Sequence, residues 1–144
     1  MRKLHSTQAA SAGDSITLVL ADDIDIARGD LIAGVERSPR EARALDATLV
    51  WLDAEPMRAG ARYLVQQATR RTLGRVQEVL ARLDIRTLEE QAPAAAVQVN
   101  DIVRSRIVLQ SPFFIDGYET VRATGSFILI DEATNRTVAA GMLR

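Results

Sequence analysis

The sequence contains no cysteine. Disulfides, thiolate-bound zinc and cysteine nucleophiles are therefore excluded, and the absence fits a cytoplasmic setting. Lysine is almost missing as well, with Lys3 standing alone in a basic set otherwise made of arginine. Arginine holds its proton, which leaves almost no candidate for a lysine nucleophile or Schiff base. Histidine occurs once, as His5, in a terminal stretch without a nucleophile beside it, so a catalytic dyad lacks its geometry. No apolar run approaches the roughly 20 residues of a membrane-spanning helix. The N-terminal residues lead into small and polar side chains rather than an apolar signal core. A Gly-x-x-x-x-Gly-Lys-Ser/Thr phosphate loop is missing, because no glycine precedes Lys3, and no serine nucleophile elbow is present. The sequence thus lacks the usual cradle for a nucleoside triphosphate.

What is there reads as a soluble globular chain. Of its 144 residues, 47% are hydrophobic and 26% charged, near the average for such domains. The length suits one domain, or one domain with part of a second. A net charge of −1 supplies no bulk drive toward nucleic acid or an anionic membrane. Ser11-Ala12-Gly13-Asp14 is a turn signal, and Ser15–Leu20 and Leu31–Ala33 are expected as short strands. The charged, proline-containing stretch from Val35 to Arg43 reads as a linker. Further strands are expected at Ala47–Leu52, Arg62–Gln66, Ile102–Leu109, Ser126–Ile130 and Thr137–Met142. Asn100-Asp101 and Thr134-Asn135 are expected as turns. Thr72–Ile85 conflicts with this pattern. Leu73, Val76, Leu80 and Leu83 fall at helical spacing, yet Gly74 interrupts them and strands lie on both sides. Many short strands punctuated by turns indicate a barrel or sandwich.

Candidate functional residues are few. Asp22, Asp23, Asp25 and Asp30 lack the spacing of a calcium loop and read as a solvated face. Arg70, Arg71 and Arg75 form a basic group whose guanidinium forks match phosphate oxygens. A solvated face balanced by Glu78, Glu89 and Glu90 is the favoured reading, given the neutral net charge. Phe113, Phe114 and Tyr118 flank Pro112 and Gly117 as an aromatic loop, which is either a protein contact or the lid of a core. Trp51, within a strand, is expected in the core. Catalytic, cofactor-binding and metal-ligating residues are expected to be absent from this chain.

Two stretches carry a family resemblance. Gly13-Asp14-Ser15-Ile16-Thr17-Leu18-Val19-Leu20 continuing to Arg28-Gly29-Asp30 resembles the end of the second domain of translation-factor GTPases, most closely the large GTPase subunit of bacterial sulfate adenylyltransferase. Arg122-Ala123-Thr124-Gly125-Ser126-Phe127-Ile128-Leu129-Ile130-Asp131, followed by Val138-Ala139-Ala140-Gly141-Met142, resembles the closing strands of that subunit's third domain. Ala47–Asp53 with Glu55-Pro56 resembles that domain's opening. Val121 and Ala140 depart from the family pattern, which has Asn and Gly there.

The resemblance implies an all-β fold, a six-stranded antiparallel closed barrel of the elongation factor Tu third-domain type, preceded by strands left over from a second-domain barrel. It divides the chain into residues 1–34, a linker at 35–46 and a barrel at 47–144, and it makes Thr72–Leu83 a long bulged strand. The family's GTPase domain would precede residue 1, so the chain is expected to be part of a longer protein. The cofactors implied, GTP with Mg²⁺ in that domain and ATP in the partner subunit, have no ligands here. The implied partners are the small adenylyl-transferring subunit and the chain's own GTPase domain, with no membrane and no favoured nucleic acid. Partner contact is expected, if anywhere, at Arg70, Arg71, Arg75, Phe113, Phe114 and Tyr118. Leftover strands at 15–33 would pack on the barrel or pair with a second copy. The alternative function is an RNA- or protein-binding barrel module of a translation-factor-like GTPase.

Overall fold

The computed structural model describes residues 9–58, 60–87, 89–93 and 96–144. Seven strands follow one another: β1 (Arg40–Trp51), β2 (Arg62–Gln67), β3 (Arg70–Leu83), β4 (Glu90–Gln91), β5 (Ile102–Ile115), β6 (Ser126–Ile130) and β7 (Thr137–Leu143). A single helical turn, α1 (Arg122–Gly125), precedes β6. The ladder runs β2-β6-β7-β1-β5-β3 and closes through a β2–β3 pairing; every pairing is antiparallel. Six strands thus form a closed antiparallel barrel, and short β4 pairs with the end of β3 outside it. Closure leaves these strands without the unpaired edge that would recruit another chain.

Alternation builds the core. In β5, Val103, Ser105, Ile107 and Leu109 point inward, while Arg104 and Arg106 face out. Leu45 and Leu49 of β1, Val65 of β2 and Leu129 of β6 are wholly buried against them. Trp51 is buried and meets Tyr63 edge-to-face, with ring centroids 5.9 Å apart, and its indole N–H donates to the Glu55 carbonyl at 2.8 Å. Such an aromatic pair contributes about 0.5–1.5 kcal/mol beyond its buried area. Phe127 lies opposite Gly141, and a Cβ at Gly141 would come within 2.2 Å of its ring.

β3 resolves the conflict over Thr72–Ile85 in favour of a strand through Leu83. Its pairing with β5 shifts register between Val76 and Glu78 and again between Val79 and Ala81. Buried positions therefore run Thr72, Gly74, Val76 and then Ala81. Two bulges break the period of two and mimic helical spacing. Gly74 faces inward so closely that a Cβ would sit 2.6 Å from Val65 Cγ2.

Three expectations are corrected. The strands expected at Ser15–Leu20 and Leu31–Ala33 do not form; residues 15–26 and 30–34 carry no ladder, and the six barrel strands, paired on both sides, offer them no edge. β1 begins at Arg40, so residues 40–46, read as linker, pair with β5. Within the aromatic stretch, residues 111–115 continue β5 rather than forming a loop. The expected turns are present: Asn100 and Asn135 adopt positive φ, and Asp14 closes a turn by accepting the Ser11 N–H.

Candidate interaction surface

The barrel sorts its charges along its length. At the end reached by the C-terminus of β3 and the N-terminus of β7, arginines are matched to carboxylates. Arg82 meets Asp101 at 2.6 Å and Arg136 meets Asp53 at 3.1 Å, both on nearly buried carboxylates. Arg58 pairs with Asp131 and Arg86 with Asp84. Thr134, through its backbone N–H and hydroxyl, holds the Asp131 carboxyl below the usual carboxylate range, assisted by Ala133 and Arg58. Partway along the barrel wall Arg106 forks onto Asp46 at 2.8 and 3.1 Å, and this bond lowers the Asp46 pKa.

The opposite end is built differently. It gathers the start of β1, the β2–β3 turn, the end of β5 and α1. There Arg70 lies over the Phe114 ring at 5.7 Å and Arg122 over the Tyr118 ring at 5.6 Å. Arg71 donates through Nε to Gln66 at 2.6 Å, and Arg43 donates to the Gln110 carbonyl at 3.3 Å. Gln67 ties the β2–β3 turn to α1 by donating to the Thr124 carbonyl at 2.6 Å. The segment around Gly29 packs on the Arg70 side chain and brings Arg28 to a cleft shared with Arg70 and Arg71. Among the described residues, none of Arg28, Arg40, Arg43, Arg70, Arg71 or Arg122 forms an ion pair.

The sequence-derived candidates separate accordingly. Arg70, Phe114 and Tyr118 meet at the arginine-rich end, with Arg71 beside them. Arg75 lies further along the wall opposite Arg62, on the outer face beside the Gly74 notch. Phe113 is fully buried and belongs to the core, because the alternation of β5 turns it inward beside outward-leaning Phe114. Asp22, Asp23, Asp25 and Asp30 are exposed, and among the described residues no group of acidic or imidazole side chains is gathered to hold a metal ion. His5 lies outside the described residues. Arg28, Arg40, Arg43 and Arg122 were not singled out from sequence; they come from three separate segments, Arg40 and Arg43 sharing the start of β1, and only the topology assembles them.

The family described as GTP-eEF1A C-terminal domain-like matches residues 44–144. The chain belongs to that family. Sulfate adenylyltransferase subunit 1 of Chromobacterium violaceum is 43% identical over 139 residues, which is 96% of this chain and 29% of that protein. The Agrobacterium fabrum protein of the same name is 44% identical over 135 residues, covering 94% of this chain and 27% of its own length. The bifunctional enzyme CysN/CysC of Mycobacterium tuberculosis is 42% identical over 130 residues, covering 90% and 21%. The chain therefore spans under a third of the curated relatives it matches. Among solved structures, sup35 complexed with GDP superposes with a TM-score of 0.67 at 19% identity, over 76% of this chain and 26% of that one, a likeness of fold. A GTP-eEF1A C-terminal-like barrel accounts for the six-stranded closure. Among the described residues no helix is long and apolar enough to cross a membrane.

Proposed function

We propose that this chain is the non-catalytic barrel portion of the GTPase subunit of a sulfate adenylyltransferase. The whole enzyme would make adenosine 5′-phosphosulfate and pyrophosphate from ATP and sulfate, driven by GTP hydrolysis, in cytoplasmic sulfate assimilation. The observation that carries this reading is identity of 38–44% along some 95% of the chain to proteins named subunit 1. The barrel's contribution is mechanical. A closed sheet with a close-packed interior moves as a rigid body. It would transmit the nucleotide state of a GTP-binding domain to the second, adenylyl-transferring subunit by rotating between them. GTP with Mg²⁺, and ATP, would be held by other polypeptide.

Residues 9–34 fit the same reading. Ile16, Leu18, Val19, Leu20, Ile24 and Ile32 are largely exposed, an arrangement that water disfavours. They are proposed to complete the last strands of a preceding barrel, with residues 35–39 as connection. The 144-residue chain should neither hydrolyse GTP nor form the adenylate. Turnover by the purified chain above a heat-treated control would overturn the assignment.

A further inference from the structure

Opposite ends of this barrel treat arginine differently. One neutralises its guanidiniums with partly buried carboxylates; the other leaves them without ion pairs among the described residues and sets them against rings and hydrogen-bond acceptors. Arg70 and Arg122 lie over the Phe114 and Tyr118 rings, 5.7 and 5.6 Å from the ring centroids. A guanidinium over a ring face still has N–H donors to offer, and its fork matches a carboxylate. The ring contacts and the Arg71–Gln66 bond also reduce the conformational entropy that docking would otherwise lose.

We infer that this end, centred on Arg70 and Arg122 and flanked by Arg71, is a docking surface for the acidic face of a protein partner. The inference rests on the proposed function, in which that partner is the second subunit. Carboxylates are favoured over nucleic acid on two grounds. Arg70 and Arg122 already lie over Phe114 and Tyr118, so a base stacking on those faces would have to displace a guanidinium. Exposed Glu41 and Glu119 share this end, which breaks any continuous positive track for a phosphate backbone, and the chain as a whole is slightly acidic. A protein surface offers discrete carboxylates that can meet Arg70 and Arg122 while avoiding Glu41 and Glu119.

The test measures binding of the 144-residue chain to the purified adenylyl-transferring subunit by titration calorimetry at two salt concentrations. Arg70→Glu with Arg122→Glu should weaken the complex roughly tenfold or more and flatten its salt dependence. Arg70→Lys with Arg122→Lys, which keeps charge but loses the fork, should fall between. Arg58→Glu with Arg86→Glu at the neutralised end should leave affinity unchanged. Binding that ignores the first pair, or depends on Arg58 and Arg86, overturns the docking surface and leaves the subunit assignment standing. Tighter, arginine-dependent binding of single-stranded polyuridine overturns the choice of partner. No binding to that subunit in any form of the chain overturns both readings.

Discussion

Single side chains set how tightly the cylinder closes. Gly141 lies under the Phe127 ring and Gly74 touches Val65 and Leu109, so neither has room for a methyl. Gly141→Ala should lower stability by about 1–3 kcal/mol through overpacking, read as a reduced urea midpoint with unchanged slope. Ser105 has the reverse character. It is fully buried on β5, and its hydroxyl has no hydrogen-bond partner among the described groups. Ser105→Ala removes a desolvated polar atom at little cost in volume and should raise stability by about 1 kcal/mol; a lower urea midpoint would contradict this. Titration adds a further check. Hydrogen bonding from Arg106 depresses the Asp46 pKa, and bonds from Thr134 depress that of Asp131. A depressed carboxylate contributes stability above its unfolded value of about 3.9, and the contribution is lost as pH falls through the folded value. Burial raises the Tyr63 pKa, so its contribution holds below about pH 10 and is lost as pH rises beyond it. Denaturation midpoints should therefore be flat near neutrality and fall on both sides, and Tyr63→Phe should soften only the alkaline fall.

At the scale of the strand, most of the barrel was legible before any coordinates, and the exceptions have physical causes. Alternation in Ile102–Leu109 located the inner and outer faces of β5 because residues 102–108 pair without a bulge against β1. The stretch around Gly74 was ambiguous because two bulges displace its buried positions, and the choice of strand came from family resemblance rather than from the pattern itself. The Ser15–Leu20 prediction failed for another reason. Composition records a preference for pairing but not the presence of an edge, and the barrel is already closed without it. Backbone amides in residues 15–33 should accordingly exchange with solvent far faster than those of β1, β3 and β5 in deuterium-exchange mass spectrometry. Joining the chain to a preceding barrel domain should slow that exchange; undiminished exchange would argue against residues 15–33 completing such a domain. The arginine-rich end was only half visible. Arg70 and Arg71 are adjacent in sequence, whereas Arg122 and Phe114 reach them through the β2–β3 turn and the tie from Gln67 to α1.

As a whole, the proposed function makes the molecule a lever, with the chemistry supplied by other polypeptide. A closed cylinder has few soft internal motions, two distinct ends, and an ionic character that differs between them. Those properties suit a body that is rotated by one neighbour and pushes on another. The decisive measurement compares a complete GTPase subunit with one lacking residues 40–144, each combined with the adenylyl-transferring subunit, following GTP hydrolysis and adenosine 5′-phosphosulfate formation together. The account predicts that GTP hydrolysis survives removal of the barrel while its stimulation of sulfate adenylation is lost. GTP-driven synthesis at an undiminished rate without the barrel would contradict it.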